Sequence, residues 1–88
     1  MTTGMKLGGP VANPIRTMLD GKNHEGVIFE CDSEKRAETT RYAAIMLKRR
    51  NGYDYRTSRR GNDLLVYRND ADPFELRGAI RVSLRKEV

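Results

Sequence analysis

The chain has 88 residues, of which 38% are hydrophobic and 33% are charged. This length fits one small domain and excludes two folded units, and the composition excludes both a membrane-embedded protein and a wholly disordered one. Seventeen Lys and Arg residues against twelve Asp and Glu residues give a net charge of +5, which favours polyanionic partners over basic ones.

The first twelve residues are rich in glycine and poor in bulky apolar side chains. Because glycine loses much conformational entropy on ordering, we predict a flexible N-terminal arm over residues 1–12 and a single domain over residues 13–88. The chain has no apolar run typical of a secretory signal or a spanning helix, and its single cysteine, Cys31, cannot form an intramolecular disulfide. We therefore expect a cytoplasmic protein that makes no membrane contact.

A short helix is predicted directly after the arm. Asn13 can cap its N-terminus, Pro14 suits the first helical position, and Gly21 can end the last turn. Ile15 and Met18 then face the core.

A strand and a long helix follow. Residues 27–31 form a short apolar run typical of a central strand, and Asp32 or Ser33 can cap a helix over residues 33–50, which contain neither Gly nor Pro. Gly52 supplies the stop, and the basic residues at the end of the helix suit its dipole. The residues predicted to pack on a sheet share one helical stripe; they are Ala37, Thr40, Ala43, Ala44 and Leu47.

Residues 53–58 and 63–68 flank the sequence Arg59-Arg60-Gly61-Asn62, which predicts a β-hairpin. With Ser58 paired to Asp63, one face carries Leu64 and Val66 together with Tyr53, Tyr55 and Thr57. The other face then carries Asp54, Arg56, Leu65 and Tyr67.

The last segment alternates between apolar and polar residues, as a half-buried strand does. Its inward residues are Ile80, Val82 and Leu84, and its outward residues are Arg81, Ser83 and Arg85. The order short helix, strand, helix and three strands predicts an α+β fold in which one long helix packs on a small mixed sheet.

The residues capable of catalysis or metal binding are few. His24 and Cys31 are too few ligands for a zinc site, and Cys31 ends an apolar strand, where a lone cysteine is usually a small hydrophobic residue. Asp70 and Asp72 lack the spacing of a calcium loop and read as solvated turn residues. We therefore expect no catalytic residue, metal or cofactor.

The basic residues are concentrated in one part of the sequence. The window 48–60 carries six positive charges against Asp54 alone, a local net of +5, which equals the charge of the whole chain. The helix dipole and the solubility of a polar turn also explain basic residues at these positions. Tyr67 on the Arg56 face can stack on an unpaired base, and Arg81 and Arg85 either extend a basic stripe or protect a sheet edge.

Two hypotheses follow. In the first, the protein is a small non-enzymatic DNA- or RNA-binding protein whose hairpin and helix end contact phosphates. Its candidate binding residues are Lys48, Arg49, Arg50, Arg56, Arg59, Arg60, Tyr67, Arg81 and Arg85. In the second, it is a protein-interaction or regulatory module, an adaptor or inhibitor of the kind that mobile elements encode. Such a module would bind an acidic protein partner or form a homo-oligomer through Tyr42, Ile45 and Met46.

Overall fold

The computed structural model describes residues 10–21 and 23–84. Its elements in chain order are α1 (Ala12–Asp20), β1 (Gly26–Glu30), α2 (Glu34–Asn51), β2 (Arg56–Arg60), β3 (Asp63–Tyr67) and β4 (Ile80–Ser83). This order confirms the predicted α+β fold. The predicted arm falls largely on residues 1–9, which lie outside the described residues. Neither helix in the described part is long and apolar enough to cross a membrane.

The four strands form one mixed sheet in the order β2-β3-β1-β4. Strand β3 pairs antiparallel with β2 and β1, whereas β4 pairs parallel with β1. Both helices contribute to a single core with the sheet residues of one face, which we call the helix face. The side chains of Val27 and Phe29 on β1 and of Leu64 and Val66 on β3 are fully buried there.

Helix α1 begins two residues earlier than predicted. Its N-cap is Val11, so Asn13 lies inside the first turn instead of capping it. Pro14 is tolerated there because the first backbone N–H groups of a helix have no partner within it. The helix ends before Gly21, as predicted, and buries Ile15 and Met18.

Helix α2 has the predicted caps. The Ser33 side chain accepts a hydrogen bond from the Arg36 backbone N–H, and Gly52 ends the helix in the left-handed conformation at φ 68°. The prediction that Ala43 packs on the sheet is wrong, because Ala43 is exposed whereas Ala37 and Ala44 are buried. The buried stripe is narrower than the sequence pattern suggests, and Ala43 faces a groove beside α1.

The hairpin pairs two residues further along than predicted. Arg60 pairs with Asp63, and Ser58 pairs with Leu65, so the turn has only two residues. Gly61 takes φ 62° in this turn, and two-residue turns with positive φ match the twist of the strands. A shift of two residues preserves the alternation of side chains, so the predicted faces hold. Arg59 and Arg60, however, lie in a strand and not in a loop.

The connection between β3 and β4 passes over the sheet face opposite the helices, the outer face. A Cβ atom added to Gly26 would lie 2.6 Å from Leu76 Cδ1, and Arg60 donates a hydrogen bond to the Pro73 carbonyl at 3.0 Å. Leu65, which points to this face, is only 3% exposed. The outer face is therefore partly covered by the chain's own loop.

Candidate nucleic-acid interface

The two ends of the sheet differ in charge. The hairpin end is the end of the sheet that carries the turn at Gly61. The start of α2 lies at this end, as shown by the 3.2 Å between Arg59 Nη1 and Glu38 Oε2. At the other end, α2 finishes beside the start of β2, because Lys48 Nζ donates to the Tyr55 carbonyl at 2.7 Å. Glu38 and Lys48 are ten residues apart on the helix, which corresponds to about 15 Å.

The two hairpin arginines point to opposite faces. Arg59 is on the helix face and forms the ion pair with Glu38. Arg60 is on the outer face, where its guanidinium group lies 5.0 Å from the centre of the Phe74 ring and donates to the Pro73 carbonyl. Adjacent strand residues alternate between faces, so these side chains do not form a joint basic tip.

Carboxylates collect at the hairpin end. They lie at or just after the end of β1, in the first turns of α2 and at the start of β3; they are Glu30, Asp32, Glu34, Glu38 and Asp63. Glu30 also pairs with Arg81 on the neighbouring strand, with 3.0 Å between Oε2 and Nη1. The hairpin end therefore carries its own neutralising charges. Arg85, the last candidate of the predicted stripe, lies outside the described residues.

The opposite end, which we call the basic end, is defined by Arg49, Arg50 and Arg56. All three are exposed, and within residues 10–21 and 23–84 none of their guanidinium groups takes part in an ion pair or hydrogen bond. Asp54 is close to them in sequence but is absent from the ion pairs of this part of the chain. The arginines here are therefore free to bind an external anion.

Lys48 and Tyr67 lie beside the basic end, but both side chains are engaged or half-buried within the protein. The Lys48 ammonium group is held by the Tyr55 carbonyl and lies 5.9 Å from the centre of the Tyr55 ring. Tyr67 pairs with Arg56 across the hairpin and is half-buried, so both residues share the outer face as predicted. The candidate residues thus divide between two ends of the molecule.

Beside the basic end, α1 and α2 enclose an apolar groove of about 520 Å³. The groove is lined by Pro10, Val11, Ala12, Tyr42, Ala43, Met46, Leu47 and Arg50. Tyr42 is 66% exposed, unlike the buried Tyr55. The prediction of self-association through Tyr42, Ile45 and Met46 leaves out Arg50, which lines the groove, whereas Ile45 is not among the described residues that line it. The spacing of four residues between Tyr42, Met46 and Arg50 along a helix would have placed these three side chains on one face.

Arg68 has a structural role. Its guanidinium group donates hydrogen bonds to the carbonyl oxygens of Met18, Gly21 and His24, and thereby covers the C-terminal end of α1. No local pattern identifies this role, because Arg68 and Met18 are far apart in the chain. The group is half-buried and engaged, so it does not belong to the basic end.

The one cysteine and the one histidine do not form a catalytic pair. Cys31 is 2% exposed; burial raises the pKa of its thiol, an effect that the hydrogen bond with Thr40 partly offsets. His24 precedes β1 and lies 2.7 Å from the Gly78 carbonyl through Nδ1, whereas Cys31 follows β1. Seven residues of extended chain separate them by about 20 Å. The described residues also hold no cluster of three or more side chains suited to a metal ion.

No family model, curated protein or solved structure matches the chain. The charge distribution and the groove are therefore the features of the molecule that bear on its function.

Proposed function

We propose that this protein is a non-enzymatic nucleic-acid-binding protein that contacts phosphates through the basic end. The observation that carries the proposal is a set of three exposed guanidinium groups at one end of the molecule, none of which has an ion-pair partner among the described residues: Arg49 and Arg50 on α2, and Arg56 on the outer face of the sheet. Arginine suits phosphate because its planar fork donates two parallel hydrogen bonds. The hairpin arginines contribute less, because Arg59 is paired with Glu38 and the Arg60 side chain is held by the Pro73 carbonyl and the Phe74 ring.

The helix dipole opposes this proposal but does not outweigh it. The C-terminus of α2 carries a partial negative charge of about half a unit, which repels phosphate. Lys48, Arg49 and Arg50 occupy the last turn of the helix, and their three full charges exceed that partial charge several-fold. The cationic side chains therefore outweigh the helix dipole.

Binding through a few phosphates has a measurable salt dependence. Each neutralised phosphate releases condensed counterions, so the logarithm of the affinity falls with the logarithm of salt concentration with a slope of about −0.9 per contact on a duplex and about −0.7 on a single strand. Arg49, Arg50 and Arg56 together predict a slope of roughly −2 to −3. Fluorescence anisotropy of labelled DNA and RNA, measured over a salt series, tests this value.

A matched pair of double variants separates the two ends. Arg49→Ala with Arg50→Ala removes two positive charges from the basic end, and Arg59→Ala with Arg60→Ala removes two from the hairpin end. The first variant is expected to reduce the salt slope by about one and a half to two, whereas the second leaves it nearly unchanged. Circular dichroism confirms that both variants fold.

Two results would contradict the proposal. One is wild-type binding that is absent at low salt or independent of salt. The other is an equal loss of slope in both double variants, because charge would then act without regard to position.

A protein-interaction module is the second candidate, and the apolar groove with the exposed Tyr42 is the observation that favours it. An acidic protein partner would meet the same basic end, and a homo-oligomer would use the groove. Multi-angle light scattering distinguishes this candidate. A stable oligomer without affinity for nucleic acid at low salt would support it.

A further inference from the structure

We infer that the groove between α1 and α2 holds an unpaired base, so that the nucleic acid bound is single-stranded. This inference rests on the proposed function and deepens it. It places a base against Tyr42 and the neighbouring phosphate on Arg50.

The groove joins an aromatic ring to a cation that has no ion-pair partner among the described residues. Tyr42, Met46 and Arg50 follow one another at intervals of four residues on α2 and all line the groove. Tyr42 and Arg50 are therefore about 12 Å apart along the helix axis, on the same side of it. The groove volume of about 520 Å³ lies in the range of pockets that hold small organic ligands.

Tyr42 is exposed in a way that packing among the described residues does not explain. Its side chain is 66% exposed, although the apolar residues Val11 and Leu47 that line the same groove pack against the core. Aromatic side chains beside arginines stack on bases in single-stranded nucleic acids, and every base offers a ring face. A base within a duplex is already stacked on both sides, so only an unpaired base can enter.

Charge complementarity favours a nucleotide over a second copy of the chain. Among the described residues that line the groove, Arg50 is the one charged residue. A two-fold symmetric dimer would present the same residues from both copies and would bury Arg50 without a carboxylate from the groove. A nucleotide supplies both the apolar ring and the anion.

The test compares two probes with the same number of phosphates, a short oligothymidylate and an abasic oligonucleotide of equal length. Wild-type protein is expected to bind the probe with bases roughly five-fold or more tightly than the abasic one. Tyr42→Ala should abolish this preference without changing the salt slope, and Tyr42→Phe should retain it. Phe74→Ala is the matched control, because it also removes an exposed aromatic ring, here 82% exposed and distant from the basic end.

Several outcomes would overturn the inference. Equal affinity of the wild type for the two probes would show that no base binds in the groove. Equal effects of Tyr42→Ala and Phe74→Ala on the preference for the probe with bases would show that the preference does not depend on the groove. Light scattering that shows Tyr42→Ala dissociating an oligomer would assign the groove to a second copy. A salt-dependent affinity with no base preference would refute this inference and leave the proposed function standing, whereas absence of binding to either probe would refute both.

Discussion

Arg59 Nη1 lies 3.2 Å from Glu38 Oε2, an ion pair that joins the edge strand β2 to the first half of α2. Both side chains are partly exposed, at 36% and 51%, so water and salt weaken their attraction. The pair matters for function more than for stability, because it neutralises one of the two hairpin arginines.

Glu38→Gln removes this pair and also the weaker ion pair of Glu38 with Arg41, which has 3.8 Å between its charged atoms. We expect the free energy of unfolding to fall by less than about 1 kcal/mol in urea denaturation, because the pair is solvent-exposed. The salt slope of nucleic-acid binding should stay the same, since the hairpin end is about 15 Å from the basic end and the Debye length is about 8 Å at physiological salt. Glu34→Gln, which changes the charge equally, is the control. A slope that steepens by about one in Glu38→Gln alone would show that the hairpin contacts phosphates.

Arg68→Ala should destabilise the fold strongly. The substitution removes charged donors from the carbonyl oxygens of Met18, Gly21 and His24, and we expect a loss of about 3 kcal/mol in the free energy of unfolding. Arg68→Lys should recover only part of this loss, because one ammonium group cannot reproduce the planar fork. Arg77→Ala removes an exposed arginine nearby and should cost less than about 0.5 kcal/mol. Similar losses in the alanine variants of Arg68 and Arg77 would disprove the capping role.

Tyr55 makes stability sensitive to alkaline pH. Its hydroxyl donates to the Ala44 carbonyl at 2.6 Å, and burial raises the pKa of this group from 10.0 to about 12. The unfolded chain therefore ionises first, and the free energy of unfolding should decrease as pH rises from about 10 to 12, by at most about 2 to 3 kcal/mol. Tyr55→Phe lacks this ionisation and should show a flatter dependence in urea denaturation across that range. Parallel curves for the two proteins would show that Tyr55 ionises equally when folded.

Gly78 and Gly52 provide a matched pair of left-handed glycines. Gly78 has φ 61°, and an added Cβ atom would lie 2.1 Å from the Asn23 carbonyl oxygen. Gly52 has φ 68° with open space around it. Gly52→Ala should cost about 1 to 2 kcal/mol of stability from backbone strain alone, and Gly78→Ala should cost clearly more because the backbone of Asn23 must also move. Equal midpoints of urea unfolding for Gly52→Ala and Gly78→Ala would contradict the close approach of Gly78 to the backbone of Asn23.

The local elements of this fold were predictable from the sequence. Helix α2 was found because Ser33, the absence of Gly and Pro in residues 33–50 and Gly52 act within a few residues of the positions they determine. The faces of the hairpin were also predictable, because side-chain alternation survives a two-residue error in register. The register itself was missed, since Gly61 and Asn62 permit turns of more than one length.

The candidate site was only partly predictable. The window 48–60 correctly marked Arg49, Arg50 and Arg56 as basic and exposed. The same window predicts that all its arginines share one basic surface, which is wrong. The chain that follows α2 runs back along the helix and brings Arg59 to Glu38, near the start of α2. Sequence counts add charges together whether or not the fold separates them.

The amino-acid sequence alone determined which segments form helices and strands and which residues carry charge, because caps, periodicity and ionisation depend on near neighbours. Tertiary structure decided which arginines are paired or held by the chain's own carbonyl groups, and where the groove beside Tyr42 lies. These properties depend on contacts between residues far apart in the chain, such as Arg60 with Pro73 and Arg68 with Met18. Long-range packing, and not local preference, therefore selects the surface available to a partner.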